Sequence, residues 1–148
     1  MTQQHANSAQ TCPVARTVDL IGDRWSLLIV RDAFDGVRRF GDFQSGLGVA
    51  RSVLTHRLKA LVEAGILHVQ PASDGTSYQE YVLTAKGESL FTLVVALRQW
   101  GEQNLFGPHE AHSRLLDTAT EQLLPLMQPI AADGRVITPE QTRVDKDV

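Results

Sequence analysis

Residues 49–67 contain an amphipathic pattern that restricts what this chain can fold into. Apolar side chains recur there at three- and four-residue steps, as on one face of a helix; they are Ala50, Val53, Leu54, Leu58 and Leu61. The opposite face carries side chains that donate hydrogen bonds; they are Arg51, Ser52, Thr55, His56 and Lys59. An α-helix fits the major groove of DNA, where base edges and phosphates offer acceptors. The pattern therefore predicts a DNA recognition helix that ends at Gly65.

The charge distribution supports this prediction, although the total charge does not. The chain has 14 basic residues against 17 acidic ones. Residues 37–60, however, contain one acid, Asp42, and five bases; the bases are Arg38, Arg39, Arg51, Arg57 and Lys59. A local positive patch on an acidic protein is typical of a polyanion-binding surface. The alternative is a solvated basic face that clusters by chance.

Composition limits the other possibilities. The length of 148 residues allows one domain with an appendage, and 43% hydrophobic content suffices for a core. No apolar run approaches the ~18 residues of a membrane span. We expect a disordered lead over residues 1–11, because this segment is polar and lacks the apolar region of a secretory signal. The single cysteine excludes an internal disulfide and favours a reducing, cytoplasmic location.

Helix signals precede the recognition helix. Pro13 suits the first position of a helix that ends near Gly22, and Asp23 is a good N-cap for a second helix over residues 24–34. A short helical turn is predicted at residues 39–44, followed by a glycine-rich turn at residues 45–48. Helix, short turn and helix in this order form a helix-turn-helix.

After the predicted recognition helix, the spacing of apolar residues changes from a helical period to the alternation that is typical of strands. Residues 66–70 and 78–83 are predicted to be strands, and the turn residues between them indicate a β-hairpin, the wing of a winged helix. One long helix is predicted from Ala85 to about Leu105, capped by Thr84. We therefore expect an α+β, mainly helical fold, with the winged helix-turn-helix domain at residues 12–106. A partly helical extension is expected at residues 107–148, with a helix within 113–127 and a short strand at 134–138.

Several separate motifs resemble the signature of HxlR-type, MarR-like winged-helix transcriptional regulators. They occur in the family's order and cover residues 12 to about 106; they are Cys12-Pro13, Leu20-Ile-Gly-Asp-Arg-Trp25, Leu27-Leu-Ile29, Arg31-Asp32, Arg39-Phe40, Leu54-Thr-His-Arg-Leu58, Gly65 and Tyr81-Val-Leu-Thr-Ala-Lys-Gly87. The resemblance implies a homodimer formed by the first and last helices of the domain, in which two recognition helices bind an inverted repeat of double-stranded DNA. It also implies a repressor, and some members respond to electrophiles or oxidants through the cysteine that corresponds to Cys12.

The chain departs from the family pattern in three places. His56 stands where glutamine is usual, so the base preference there is open. The wing, residues 70–78, has no Lys or Arg and carries Asp74, which weakens its expected contact with phosphates. The tail has no cysteine, so it cannot form the zinc ribbon found in some longer members.

Individual residues suggest further roles. A thiol at a helix N-terminus lies at the positive end of the helix dipole, which favours the reactive thiolate, so Cys12 is a candidate redox sensor; the alternative is a simple cap or a buried small side chain. Trp25 and Trp100 are more typical of core or dimer-interface positions, although they are also candidates for lining an effector pocket. Arg38 and Arg39 are candidates for backbone contacts with DNA. Arg57 has two open roles, holding the helix-turn-helix in shape or contacting a phosphate.

An enzymatic function has little support, because the chain has no phosphate-binding glycine loop and no plausible nucleophile–base set. We expect no cofactor, no metal and no membrane partner, since a single pair of histidines, His109 and His112, is weak evidence for a metal site. The expected function is a sequence-specific DNA-binding transcriptional regulator, released by a small-molecule, electrophile or redox signal. The alternative is a winged-helix protein–protein module without DNA binding.

Overall fold

The computed structural model describes residues 11–146 of the chain. The disordered lead expected over residues 1–11 lies almost wholly outside the described residues. The chain divides into two compact units, one up to Val94 and one from Val95 onward. Each unit is described below by itself.

The first two helices begin and end where their capping residues predict. Helix α1 spans Pro13–Ile21, and Cys12 is its N-cap. Helix α2 spans Arg24–Phe34, and its N-cap Asp23 accepts a hydrogen bond of 2.9 Å from the amide of Ser26. Local chemistry is sufficient to fix these boundaries.

Helices α3 (Phe40–Leu47) and α4 (Arg51–Glu63) form the helix-turn-helix. The expected glycine-rich turn at residues 45–48 was wrong in extent, because α3 continues to Leu47. Gly48 ends α3 in the left-handed conformation, with φ of 61°, and its amide donates to the Gln44 carbonyl. Packing of the fully buried Phe43 outweighs the weak helix propensity of Gly46.

A two-stranded antiparallel hairpin follows α4. Strand β1 spans Leu67–Pro71 and strand β2 spans Gln79–Leu83, with Leu67 opposite Leu83 and Pro71 opposite Gln79. Both strands lie within one residue of the predicted ranges. The hairpin is the wing of the winged helix.

The long helix predicted from Ala85 was wrong, because the chain forms two helices with a break between them. Helix α5 spans Ala85–Glu88 and helix α6 spans Phe91–Asn104. A Cβ atom at Gly87 would lie 2.2 Å from the Ile66 carbonyl oxygen, so only glycine allows this close approach to the segment before β1. The Ser89 hydroxyl donates to the Lys86 carbonyl and satisfies the end of α5.

The core of the first unit lies beneath the helix-turn-helix and the wing. Its buried apolar residues come from α1 to α4 and β1 and from the segments that join them; they are Ile21, Ile29, Val30, Phe43, Val49, Leu54, Leu58, Leu61, Ile66 and Leu67. Burial of Leu54, Leu58 and Leu61 fixes which face of α4 points outward.

The second unit contains most of α6 and the extension. The helix predicted within residues 113–127 was wrong, since the described part of the extension has no α-helix and only a short 3-10 helix, Pro139–Gln141. Backbone groups of the extension bond to the Gln99 side chain instead, whose amide nitrogen donates to the Pro125 carbonyl (3.0 Å) and whose oxygen accepts from Met127 (2.8 Å). In place of the expected strand, Ile130 and Val136 form one antiparallel bridge. Among residues 11–146, no helix has the length and apolar character needed to cross a membrane.

Candidate nucleic-acid interface

The exposed face of α4 presents the side chains predicted from the sequence. All five are exposed and line one shallow depression on the protein surface; they are Arg51, Ser52, Thr55, His56 and Lys59. Their backbone is held by the buried leucines on the other side of the helix. The structure therefore places this predicted set together on one surface.

Two of these side chains have partners that limit what they can offer. The Thr55 hydroxyl donates a 2.8 Å hydrogen bond to the Arg51 carbonyl, one turn earlier in α4. Its hydrogen is therefore occupied, and it offers a ligand its oxygen lone pairs and its methyl group. The Arg51 guanidinium lies over the Phe40 ring, 5.0 Å from the ring centre. Neither Ser52 nor His56 forms a hydrogen bond with another described side chain or backbone group.

The two arginines before α3 are paired with acids of the wing. Arg38 Nη1 lies 3.4 Å from Glu80 Oε2, and Arg39 Nη2 bonds to Asp74 Oδ2. The Arg39 guanidinium also lies 5.0 Å from the centre of the Tyr78 ring. Arg38 and Arg39 therefore lie against the wing and are separate from the surface depression on α4.

Titration of the wing acids reflects these contacts. Hydrogen bonds from Thr76, and next from Arg39, lower the pKa of Asp74 to about 2. Burial raises the pKa of Glu80, but hydrogen bonds from Ser73 and Gln70 and the pairing with Arg38 outweigh this effect and lower it overall. Both carboxylates are ionised at neutral pH and compensate the arginines.

Arg57 holds α4 against the start of α2. Its Nε lies 3.4 Å from Asp23 Oδ2, the same oxygen that caps α2. This Nε is buried and has no well-formed hydrogen bond within the described residues. Of the two roles left open by the sequence, the structure supports the one in which Arg57 maintains the shape of the helix-turn-helix. In the sequence, the position of Arg57 beside the apolar stripe of α4 is the feature that indicates this role.

The basic window of the sequence is therefore largely compensated in the folded chain. Lys59 Nζ lies 4.0 Å from Glu63 Oε1, a weak exposed pair. Among the five bases of residues 37–60, Arg51 is the one without an acidic partner in the described part of the chain. The donors on α4, rather than a strong positive patch, distinguish this surface.

The remaining candidate residues lie outside this surface. Cys12 is half-buried, and its Sγ accepts a 3.4 Å hydrogen bond from the Ala15 amide. In the first unit, Trp25 packs against the core, with Arg24 over its ring at 4.9 Å. In the second unit, Trp100 is 61% exposed. Within residues 11–146, no cluster of three or more His, Cys, Asp or Glu side chains is arranged to hold a metal ion.

Comparison with known proteins agrees with this architecture. Residues 20–108 match the family described as HxlR-like helix-turn-helix. The chain is 46% identical over 95 residues to the uncharacterized HTH-type transcriptional regulator Rv3095 of Mycobacterium tuberculosis. That match covers 64% of this chain but only 60% of the relative's length.

Solved structures extend the comparison. PA1607, a candidate transcription factor with a crystal structure, is 52% identical, with a TM-score of 0.87 over 93% of this chain and 96% of that one. The redox regulator HypR in its oxidized form is 33% identical, with a TM-score of 0.57 over 63% of this chain and 97% of HypR. The extension is therefore shared with PA1607, whereas the HypR match is confined to less of the chain. The family match covers more than half of the chain and coincides with the helix-turn-helix and the wing, and the chain thus belongs to the HxlR-like helix-turn-helix family of transcriptional regulators.

Proposed function

We propose that the protein is a homodimeric repressor that binds an inverted repeat of double-stranded DNA through α4 of each chain. The observation that carries this proposal is the row of five exposed donor and acceptor side chains on α4. Such groups match the hydrogen-bonding edges of bases in the major groove. Ser52, Thr55 and His56 are assigned to bases, and Arg51 and Lys59 to the backbone or to guanine.

The proposed dimer is supported by apolar surface on α1. Val14 and Val18, one helical turn apart, are 70% and 56% exposed, and contiguous exposed apolar surface is typical of an interaction site. Two-fold symmetry would place the half-sites about one helical turn, or ~10 bp, apart.

Binding measurements on duplex DNA test this proposal. Operator fragments selected from genomic DNA should bind two chains per site, and affinity should fall steeply as salt rises. Lys59→Ala should reduce the salt slope by about one, whereas Arg143→Ala, an exposed cation of the extension, should leave it unchanged. A monomer by sedimentation that still binds with one chain per site would contradict the dimer. No binding even at low salt would contradict DNA recognition.

A second candidate function has its own supporting observation. The wing acids compensate Arg38 and Arg39, so the wing adds no net positive charge. This arrangement favours a winged-helix module that binds another protein. The low-salt experiment separates the two functions, because a module of this kind would not bind random duplex DNA.

Release by a redox or electrophile signal through Cys12 is also proposed. Its support is the position of the thiol at the N-cap of α1, which carries the apolar surface assigned to the dimer. The similarity to HypR, a redox regulator, adds to this support.

A further inference from the structure

We propose that a pocket between α2 and β2 binds a small organic cation with an aromatic body. The pocket has a volume of about 470 Å³, within the range of roughly 300–1,000 Å³ that is typical of ligand sites. The C-terminal part of α2, the segment that follows it, strand β2, the end of α5 and the start of α6 line it. All of these residues belong to the first unit.

Three of the residues that line the pocket are aromatic. Phe34 and Phe91 lie 5.4 Å apart between ring centres, with their planes tilted by 56°. Tyr81 lines the pocket from strand β2. Phe91 is 43% exposed, so a ligand in the pocket would cover aromatic surface that now faces water. The faces of aromatic rings are electronegative and attract cations.

The charges at the pocket also favour a cationic ligand. Two ionised side chains line it, Arg38 and Glu88. Arg38 is already compensated by Glu80, which in turn accepts hydrogen bonds from Gln70 and Ser73. Glu88 is exposed and has no ion-pair partner among the described residues. The uncompensated charge at the pocket is therefore negative, which favours a cation over an anion of equal size.

The position of the pocket connects it to the helix-turn-helix. The amide of Tyr81 donates a 2.7 Å hydrogen bond to the Arg38 carbonyl, which joins β2 to the segment before α3. Arg38 and Tyr81 both line the pocket, so a ligand there would lie beside the contact that positions Arg38. The pocket's role as an effector site rests on the proposed DNA-binding function. Binding of a ligand to the pocket does not depend on that function.

A matched series of ligands tests the pocket without DNA. The probes are 1-naphthylmethylammonium, 1-naphthoate and 1-naphthalenemethanol, which share the ring system and differ in charge. Calorimetric titration of the full chain should give the tightest binding for the ammonium ion and binding at least about tenfold weaker for the carboxylate. Equal affinity for all three probes, or no binding of the cation, would overturn the proposal.

Two variants locate the binding site. Glu88→Gln should lower the affinity for the ammonium ion to that of the neutral alcohol, and Val82→Trp should fill the pocket and abolish binding of all three probes. Glu140→Gln, a change at an exposed acid of the extension, should have no effect. Because Glu88 is exposed, Glu88→Gln should keep the wild-type melting temperature. The Glu88→Gln measurement therefore still tests the proposal if Val82→Trp fails to fold. Wild-type affinity for the cation in Glu88→Gln would overturn the assignment. Failure of the probes to bind, with DNA binding intact, would refute the pocket and leave the proposed function standing.

Discussion

Arg57 Nε lies 3.4 Å from Asp23 Oδ2, so α4 is held to the N-cap of α2. The contact joins residues 34 positions apart and involves an Nε atom that is buried. Asp23 therefore has two structural roles, since the same carboxylate oxygen caps α2 and holds α4 in place. The orientation of the proposed DNA-contacting face depends on this pair.

Asp23→Asn should separate the capping role of Asp23 from its ion pair with Arg57. Asparagine is also a good N-cap, so the variant keeps the cap and loses the ion pair. We expect a loss of about 1–2 kcal/mol in the free energy of unfolding, between the values typical of exposed and buried pairs. Urea denaturation measures this loss. Glu63→Gln, which removes the exposed pair with Lys59, serves as the control and should cost less than about 0.5 kcal/mol.

The effect of Asp23→Asn should also depend on pH. Burial raises the pKa of Asp23, but hydrogen bonds from Ser26 and the charge of Arg57 outweigh it, so the pKa of the folded state is lowered. A carboxyl group whose pKa is lowered by folding contributes stability that is fully present above its pKa in the unfolded chain, near pH 4. This contribution is lost as the pH falls through the pKa of the group in the folded state. The stability difference between wild type and Asp23→Asn should therefore shrink below about pH 4. A difference that stays constant down to pH 2 would show that the carboxylate charge has no part in it.

Thr55 and His56 are expected to determine base preference. Thr55→Ala and His56→Ala should each cost about 1–3 kcal/mol on the operator and relax sequence preference. Because the Thr55 hydroxyl donates to Arg51, Thr55→Val should lose only contacts made through oxygen and keep those made through the methyl group. Competition binding against base-substituted operators measures these effects, and Thr92→Ala, at another exposed helical threonine, is the control. An unchanged preference in the double variant Thr55→Ala, His56→Ala would refute docking through this face.

Asp74→Asn should strengthen binding to DNA. The Asp74 carboxylate compensates Arg39, so its removal leaves Arg39 available for a phosphate. We expect higher affinity for specific and random duplexes alike and a salt slope steeper by about one. Asp133→Asn breaks a comparable surface pair with Arg135 in the extension and should leave the slope unchanged. If the two variants behave alike, Arg39 does not contact DNA.

Cys12→Ser should abolish the response to oxidants and leave operator affinity intact. Serine caps helices well, so the variant preserves the start of α1. Wild-type protein treated with a quinone or with diamide should lose operator binding, because a modified thiol alters the start of the proposed dimer helix. Mass spectrometry should verify full modification of Cys12. Unchanged DNA binding by fully modified wild-type protein would exclude a regulatory thiol.

Local chemistry made part of this structure predictable. Pro13 and Asp23 gave the starts of α1 and α2, and the apolar stripe of α4 identified its outward face, because caps and periodicity act within a few residues. The break between α5 and α6 was not predicted. Within α5, Gly87 lies close to the Ile66 carbonyl, and helix periodicity does not reveal such a contact with an earlier segment of the chain.

The charge of the candidate site was misleading for a similar reason. The sequence places Arg38 and Arg39 in a basic window, but their acidic partners, Glu80 and Asp74, lie 42 and 35 residues further along the chain. Only tertiary structure brings such groups together. The extension shows the same dependence, because its backbone groups at Pro125 and Met127 bond to the side chain of Gln99, which lies in α6.

The internal pairing of Arg38, Arg39 and Arg57 also bears on how the regulator would be distributed in a cell. Each of these arginines is neutralised by an acid of its own chain, so these three add little uncompensated charge to the surface that would face bulk DNA. A genome offers on the order of 10⁶ or more competing sites, which sequester regulators that have strong sequence-independent affinity. A regulator with weak background affinity keeps a larger share of its molecules available for its operator. We therefore expect that few copies per cell suffice to occupy the target site.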